Sequence, residues 1–351
     1  MLTTAEPRPA RRIADILRHS WRDGVDSNLN PDEVSDLIPL ILGSGLAPLV
    51  QRHLRAPHPQ LQDATRLSVL HSAVRADRVQ RVVETFRAHG IEPLIGKGWS
   101  VATRFYRDPA LRPSSDIDLF VAAKDYGAAI QIGRRRATGL TAVDLHCQCE
   151  ELSDRPWRSI VEKRIELRAN ETTVSVFSDE QHLRLLTLHF AKHAGFRALW
   201  LCDVAALVER QRATLDWDEI LRGKRWRSSW VLGVVALARD LLGADVSGTP
   251  AERLRLPRWA APAVLHEWET PFRWPAGRPP ALAAISSGGV VSAARELRAR
   301  WPSPIEASFY FGGALNGVPR LPYELLQCMR QGLAIPRQFF QWLGRQAHAQ
   351  S

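Results

Sequence analysis

Ser115-Asp116-Ile117-Asp118-Leu119-Phe120-Val121 is the stretch on which the reading of this chain turns. Its apolar run predicts a strand, and successive strand side chains point to opposite faces. Asp116 and Asp118 therefore stand side by side while Ile117 and Leu119 pack inward. Two carboxylates that close repel, and burial raises their pKa values unless a cation shares them. One reading is a site for a hard divalent metal, Mg²⁺ or Mn²⁺, held by oxygen ligands. The other is a strand end with two solvated acids, a common arrangement.

Working outward, Ile95-Gly96-Lys97-Gly98-Trp99 reads as a strand–glycine–helix junction. Glycines there let backbone N–H groups and a helix N-terminus approach a phosphate, and Lys97 adds a positive charge. The motif is neither GxGxxG nor the P-loop GxxxxGK[ST]. Downstream, Ala142-Val143-Asp144-Leu145-His146-Cys147 alternates, placing Asp144 and His146 on one face and Val143, Leu145 and Cys147 on the other. A third carboxylate on a neighbouring strand would complete a two-metal cage, which clamps the attacking and leaving oxygens of an in-line phosphoryl displacement. His146 either tunes that site or is a plain strand histidine. Cys147 and Cys149 read as core thiols.

The flanks are helical. Apolar residues from Pro31 to Leu54 recur at helical spacing, with Asn30 and Asp32 where a cap belongs and a break at Gly43–Gly45. A long amphipathic pattern runs from Leu61 through Leu67, Val69, Leu70, Val74, Val79, Val82, Val83 and Phe86, ending at Gly90. Helices are expected at Trp99–Arg107 and Lys124–Arg136. Arg164–Arg168 and Thr172–Phe177 read as strands paired across a turn at Asn170. Ser178 and Gln181 have capping-box spacing at the head of a long helix through His193, and more helix follows to about Gly243. Residues 244–280, rich in Pro, Trp and Arg, read as loop or linker. Helical stretches are expected near Ser292–Arg300 and from Tyr323.

The 351 residues (39.4 kDa) are 45% hydrophobic, which excludes wholesale disorder and leaves room for two or three compact units. The formal net charge of +10 fits polyanionic partners such as nucleotides, nucleic acid or acidic lipid. Four cysteines without a CxxC pair make no disulfide framework and point to a reducing, cytoplasmic setting. Arg8, Arg11 and Arg12 precede an apolar stretch broken by Asp15, Arg18 and His19, so no signal peptide is expected. The runs Ile38–Val50 and Val231–Ala238 fall short of the ~20 residues of a membrane helix, and a soluble protein is expected.

Other polar residues admit plain readings. His189 and His193 are i,i+4 on one helix face. They have the spacing of a shared metal site, or of a half-buried face that hydrogen-bonds its surroundings or touches a nucleotide. Phe190 stands where the HExxH protease motif needs glutamate. Asp203 either orients the Arg197 or His193 face or is a structural helix acid. Ser44 in Gly43-Ser44-Gly45 is a turn residue. Arg134–Arg136, and Arg222, Lys224, Arg225 and Arg227 around Trp226, suit contact with nucleic acid. A solvated helix end explains the first cluster equally well, and the tryptophans form no regular stacking platform, so RNA or DNA binding is not expected from them.

Taken together, Gly96-Lys97-Gly98, Tyr106-Arg107-Asp108-Pro109, Arg112-Pro113, Asp116-Ile117-Asp118 and Asp144-Leu145-His146 resemble the bacterial nucleotidyltransferase-like family, within the DNA polymerase β-type nucleotidyltransferase superfamily. The likeness continues through Glu180–Cys202, where His182-Leu183, His189, Lys192-His193, Arg197 and Trp200 to Asp203 fall in the expected order. It covers about residues 30–240. The superfamily's turn usually reads Gly-Ser or Gly-Gly with a shorter gap to the acids; here Gly98 lies eighteen positions before Asp116.

The resemblance implies an α/β (α+β) fold, with a small mixed β-sheet nucleotidyltransferase core flanked by N-terminal helices and a C-terminal helical subdomain. The expected divisions are 1–90 (N-terminal helical region), 91–178 (nucleotidyltransferase core), 179–243 (helical subdomain) and 244–351 (linker and extension). It implies transfer of a nucleoside monophosphate from an NTP, ATP among the candidates, to an unidentified small-molecule, peptide or protein acceptor, with release of pyrophosphate. Mg²⁺ or Mn²⁺ and the NTP would sit in the cleft between sheet and helical subdomain. Asp116 and Asp118 would hold both ions, and Asp144 would ligate the one that activates the acceptor hydroxyl and help take its proton. Gly96, Lys97, Gly98, Arg112, His189 and His193 are the candidate nucleotide-binding residues. The Arg112 fork matches phosphate geometry; its other reading is a loop arginine paired with Asp108 or Asp116. The rival function is a catalytically inactive nucleotide-binding or regulatory module that retains the fold.

Overall fold

The computed structural model describes residues 8–24, 28–134, 143–269 and 301–330. Five short strands form its sheet: β1 (Leu94–Gly96), β2 (Ile117–Val121), β3 (Val143–Cys147), β4 (Ile165–Ala169) and β5 (Thr172–Val176). Their order is β3-β2-β1-β5-β4, and the sheet is mixed. β1 runs antiparallel to β2 and parallel to β5, β2 and β3 are parallel, and β4–β5 is a hairpin. Asn170 turns that hairpin with a φ of 52°.

The helices are α1 (Pro9–Ile16), α2 (Ile38–Gly43), α3 (Ala47–Gln51), α4 (Pro59–Arg87), α5 (Lys97–Phe105), α6 (Tyr126–Arg134), α7 (Trp157–Glu162), α8 (Asp179–Lys192), α9 (Ala198–Gln211), α10 (Trp217–Leu221), α11 (Arg225–Leu242), α12 (Ala260–Trp268) and α13 (Pro304–Tyr310). This is the expected α+β architecture.

Alternation decides how the sheet is covered. Ile95, Ile117, Leu119, Val121, Val174 and Val176 face one way, against Val79, Val82, Val83 and Phe86 of α4 and Ala129 and Ile132 of α6. Leu94, Phe120 and Phe177 face the other way, toward Leu152, Ile160 of α7 and Leu185 of α8. The acids of β2 and β3 share this second face, so the candidate site lies between sheet and α8. A larger apolar cluster unites α1–α3 with α8, α9 and α11; Ile13, Leu37, Leu49, Leu201 and Val234 are all buried in it. The Ser178–Gln181 capping box forms as expected, with each side chain satisfying the other residue's backbone N–H. Asn30 and Glu33 make a second one before α2.

Three expectations are corrected. The loop expected over residues 244–280 contains α12. Its proline, Pro262, sits in the first turn, where the N–H has no helical partner to lose. On α4, Leu67, Val69, Leu70 and Val74 are exposed rather than buried. The inner face of that segment is polar instead: Ser68 Oγ donates to the Ala110 carbonyl at 2.6 Å and Arg75 to that of Ser114. Cys147 is exposed, being the last residue of an edge strand, whereas Cys149 is buried as expected. Arg135, Arg136, Thr141, Ala142 and Ser292–Arg300 lie outside the described residues.

Candidate active site

Register builds the site. Gly96 pairs with Asp118, and Asp118 with Asp144, so one row across three strands reads glycine, acid, acid. The next row is Leu94, Phe120 and His146. One ligand atom each from Asp118, Asp144 and His146 lie within 4.8 Å of one another. His146 Nε2 is 3.1 Å from Asp144 Oδ2 and 3.3 Å from Asp118 Oδ1. Its ring stacks on Phe120 with centroids 4.5 Å apart and planes at 15°. Lys97 Nζ reaches the same Asp118 oxygen, Oδ1, at 2.8 Å.

Burial alone would raise the Asp118 pKa, but the His146 hydrogen bond and the Lys97 charge hold it down at about 2. Asp118 is thus a buried carboxylate kept ionised, whereas the Asp144 side chain is 52% exposed. Two carboxylates and an imidazole are a donor set suited to a divalent cation.

The glycine turn has a different logic from the one its sequence suggests. A Cβ on Gly96 would fall 2.8 Å from Phe120 Cε2 and 2.9 Å from Phe177 Cε2, so the position is forced by packing. A Cβ on Gly98 would crowd Ser114 at 3.2 Å. Between them Lys97 adopts a φ of 47°, uncommon for a residue with a side chain. Its backbone N–H donates to His182 Nε2 at 3.1 Å. Burial and the neighbouring Arg104 push the His182 pKa down to about 3, so the ring is neutral and able to accept.

Across from the acids, α8 and the turn Glu150–Leu152 form a second polar wall. His189 Nδ1 lies 3.3 Å from Glu151 Oε1, and Lys192 Nζ 3.6 Å from the same oxygen. Burial works to raise the Glu151 pKa, yet the His189 hydrogen bond and the charges of Lys192 and Lys97 carry it well below the usual carboxylate range. Burial, with His189 and Lys192 beside it, pushes His193 down to about 3. The His189 and His193 rings are 4.5 Å apart, and Trp200 of α9 meets both at 4.6 and 5.7 Å. These two histidines are therefore partnered by Glu151 and Trp200. Glu151 escaped sequence reasoning because a Glu-Glu pair beyond a strand looks like solvated surface. The one signal was its place in the turn directly after the strand that carries Asp144 and His146.

The remaining candidates fall outside the group of three. Asp116 precedes β2 and is not in the Asp118–Asp144–His146 group; its carbonyl accepts from Arg75 Nη1 at 3.4 Å. Arg112 pairs with neither Asp108 nor Asp116. Its Nη2 is 2.7 Å from Asp203 Oδ2, with Nε at 3.1 and 3.2 Å from the two carboxylate oxygens. The Tyr106 hydroxyl donates to the same acid at 2.9 Å, and all three side chains are buried. Asp203 is thus a structural helix acid whose partner is Arg112.

The family model described as an uncharacterised nucleotidyltransferase matches residues 31–138 and 132–243, more than half of the chain and all of the elements that build this site. The chain belongs to this family. No curated protein and no solved structure matches it. Family membership supports general nucleotidyl transfer for the chain. Among the described residues, no helix is long and apolar enough to cross a membrane.

Proposed function

We propose that this nucleotidyltransferase moves a nucleoside monophosphate from an NTP to an acceptor hydroxyl by in-line displacement. The acceptor oxygen bonds to the α-phosphorus, the bond to the bridging oxygen breaks, and pyrophosphate leaves. The observation that carries this reading is the register pairing of Asp118 with Asp144, which brings two carboxylates and His146 within 4.8 Å beside the glycine turn.

Asp118 and Asp144 would hold Mg²⁺ or Mn²⁺, with Asp116 as the further ligand of a two-ion arrangement. Bound there, the metal supplies charge neutralisation for the triphosphate and a lowered pKa for the acceptor hydroxyl. Lys97, at the mouth of α5, balances triphosphate charge. Asp144, the half-exposed acid, is open to take the acceptor proton. His189 and His193 line the opposite wall as nucleotide contacts, packed on Trp200.

The test is incubation with each labelled NTP and Mg²⁺ or Mn²⁺, reading pyrophosphate release and self-labelling, with Asp118→Asn as control. Release by the wild type and its loss in the variant are expected. NTP binding without release under every condition would favour the rival, a nucleotide-binding module without turnover. That rival draws on one feature: Lys97 gives its ammonium to Asp118 and its N–H to His182, the two groups a triphosphate would want.

A further inference from the structure

Resting on that metal-dependent reading, we propose that His146 is a direct ligand of the cation at Asp118 and Asp144, so that the site takes a first-row divalent transition cation in preference to Mg²⁺. A neutral imidazole carries at most one hydrogen on Nε2, yet that atom faces two carboxylate oxygens, at 3.1 and 3.3 Å. One hydrogen does not serve both acceptors well. A cation shared by all three atoms does.

The ring is also built into place. It lies flat on Phe120, and Phe120 is held edge-on by Phe177 with centroids 5.0 Å apart at 80°. Gly96 makes room for both, since a Cβ there would strike either ring. The glycine that reads in sequence as a phosphate contact is thereby the seat of the platform that orients a metal ligand. Locking a ligand ring in this way is how surroundings tune a metal site. The chemistry follows from the donor set: imidazole nitrogen suits Fe, Ni, Cu and Zn, with Mn²⁺ between these and Mg²⁺, which prefers oxygen and keeps its waters.

Mn²⁺ serves as the probe, added to the full chain without nucleotide and again with a nonhydrolysable NTP analogue. Binding is read by electron paramagnetic resonance, with nitrogen hyperfine coupling as the signature of a bound imidazole and Mg²⁺ as competitor. The expected result is coupling in the wild type and its loss in His146→Gln. That variant should also weaken Mn²⁺ binding by about tenfold or more, with Mg²⁺ binding changed less. Bound Mn²⁺ without nitrogen coupling would overturn the proposal while leaving nucleotidyl transfer through Asp118 and Asp144 intact. No Mn²⁺ binding by the wild type, even with the analogue, would overturn both. The wild-type spectrum decides even if the variant fails to fold, which circular dichroism would reveal.

Discussion

Lys97 carries two opposed duties, and its geometry makes them separable. Its ammonium neutralises Asp118 at 2.8 Å, and on the proposed reading the same charge would meet a phosphate arriving at the turn. Replacing it with methionine frees Asp118 and removes a cation from the turn. Lys97→Met should therefore bind Mn²⁺ more tightly in the absence of nucleotide and NTP more weakly, both read by titration calorimetry. Unchanged metal affinity would mean that the ammonium does not compete with a metal for Asp118. Gly96 offers a second test at this scale. Its backbone φ is −129°, open to any residue, so Gly96→Ala carries steric cost alone. Overpacking of this kind costs about 1–3 kcal/mol, to be read as a lowered unfolding midpoint, and a silent Gly96→Ala would show that Phe120 and Phe177 yield freely.

At the scale of elements, the ion pair of Arg112 and Asp203 ties the loop before β2 to α9, with both partners buried and Tyr106 adding a third contact. Removing one member leaves a buried charge alone. Arg112→Met should thus destabilise the fold by about 3–5 kcal/mol in urea unfolding. A nearly unchanged stability with loss of NTP binding would instead return Arg112 to the phosphates.

The same pair marks what was legible in the sequence. Period-two alternation was enough to put Asp144 and His146 on one face of their strand, because strand geometry is local. The Ser178–Gln181 cap was readable for the same reason. The pairing of Asp118 with Asp144, by contrast, is a matter of register between strands. Asp203 stands 91 positions from Arg112, and Glu151 meets His189 across a gap of 38, so no local period announces either contact. The exposed apolar residues of α4 fail the other way. Their spacing is helical, but the loop packed on that segment of α4 is held by Ser68 and Arg75 instead.

For the molecule as a whole, acid is the expected weakness. Burial pushes His53 down to about 4 and both His182 and His193 to about 3, against an ordinary value of 6.5. Each folded value lies below the unfolded one, so unfolding takes up protons between them. Stability should be full above about pH 6.5 and fall steadily toward pH 3. For the fully buried His182 the slope is about 1.4 kcal/mol per pH unit. Urea midpoints measured from pH 7.5 down to about 4.5 would trace it, and His182→Gln should flatten the curve; a flat wild-type profile would contradict neutral buried rings.

β3 lies at the sheet's edge, with β2 as its partner, yet it supplies both Asp144 and His146. Were it to slip by one residue during folding, every side chain would change sides. Val143 and Leu145 would leave the oily layer beneath the sheet, and the acid and the imidazole would be driven into it. A misaligned strand therefore spoils its own packing along with its chemistry.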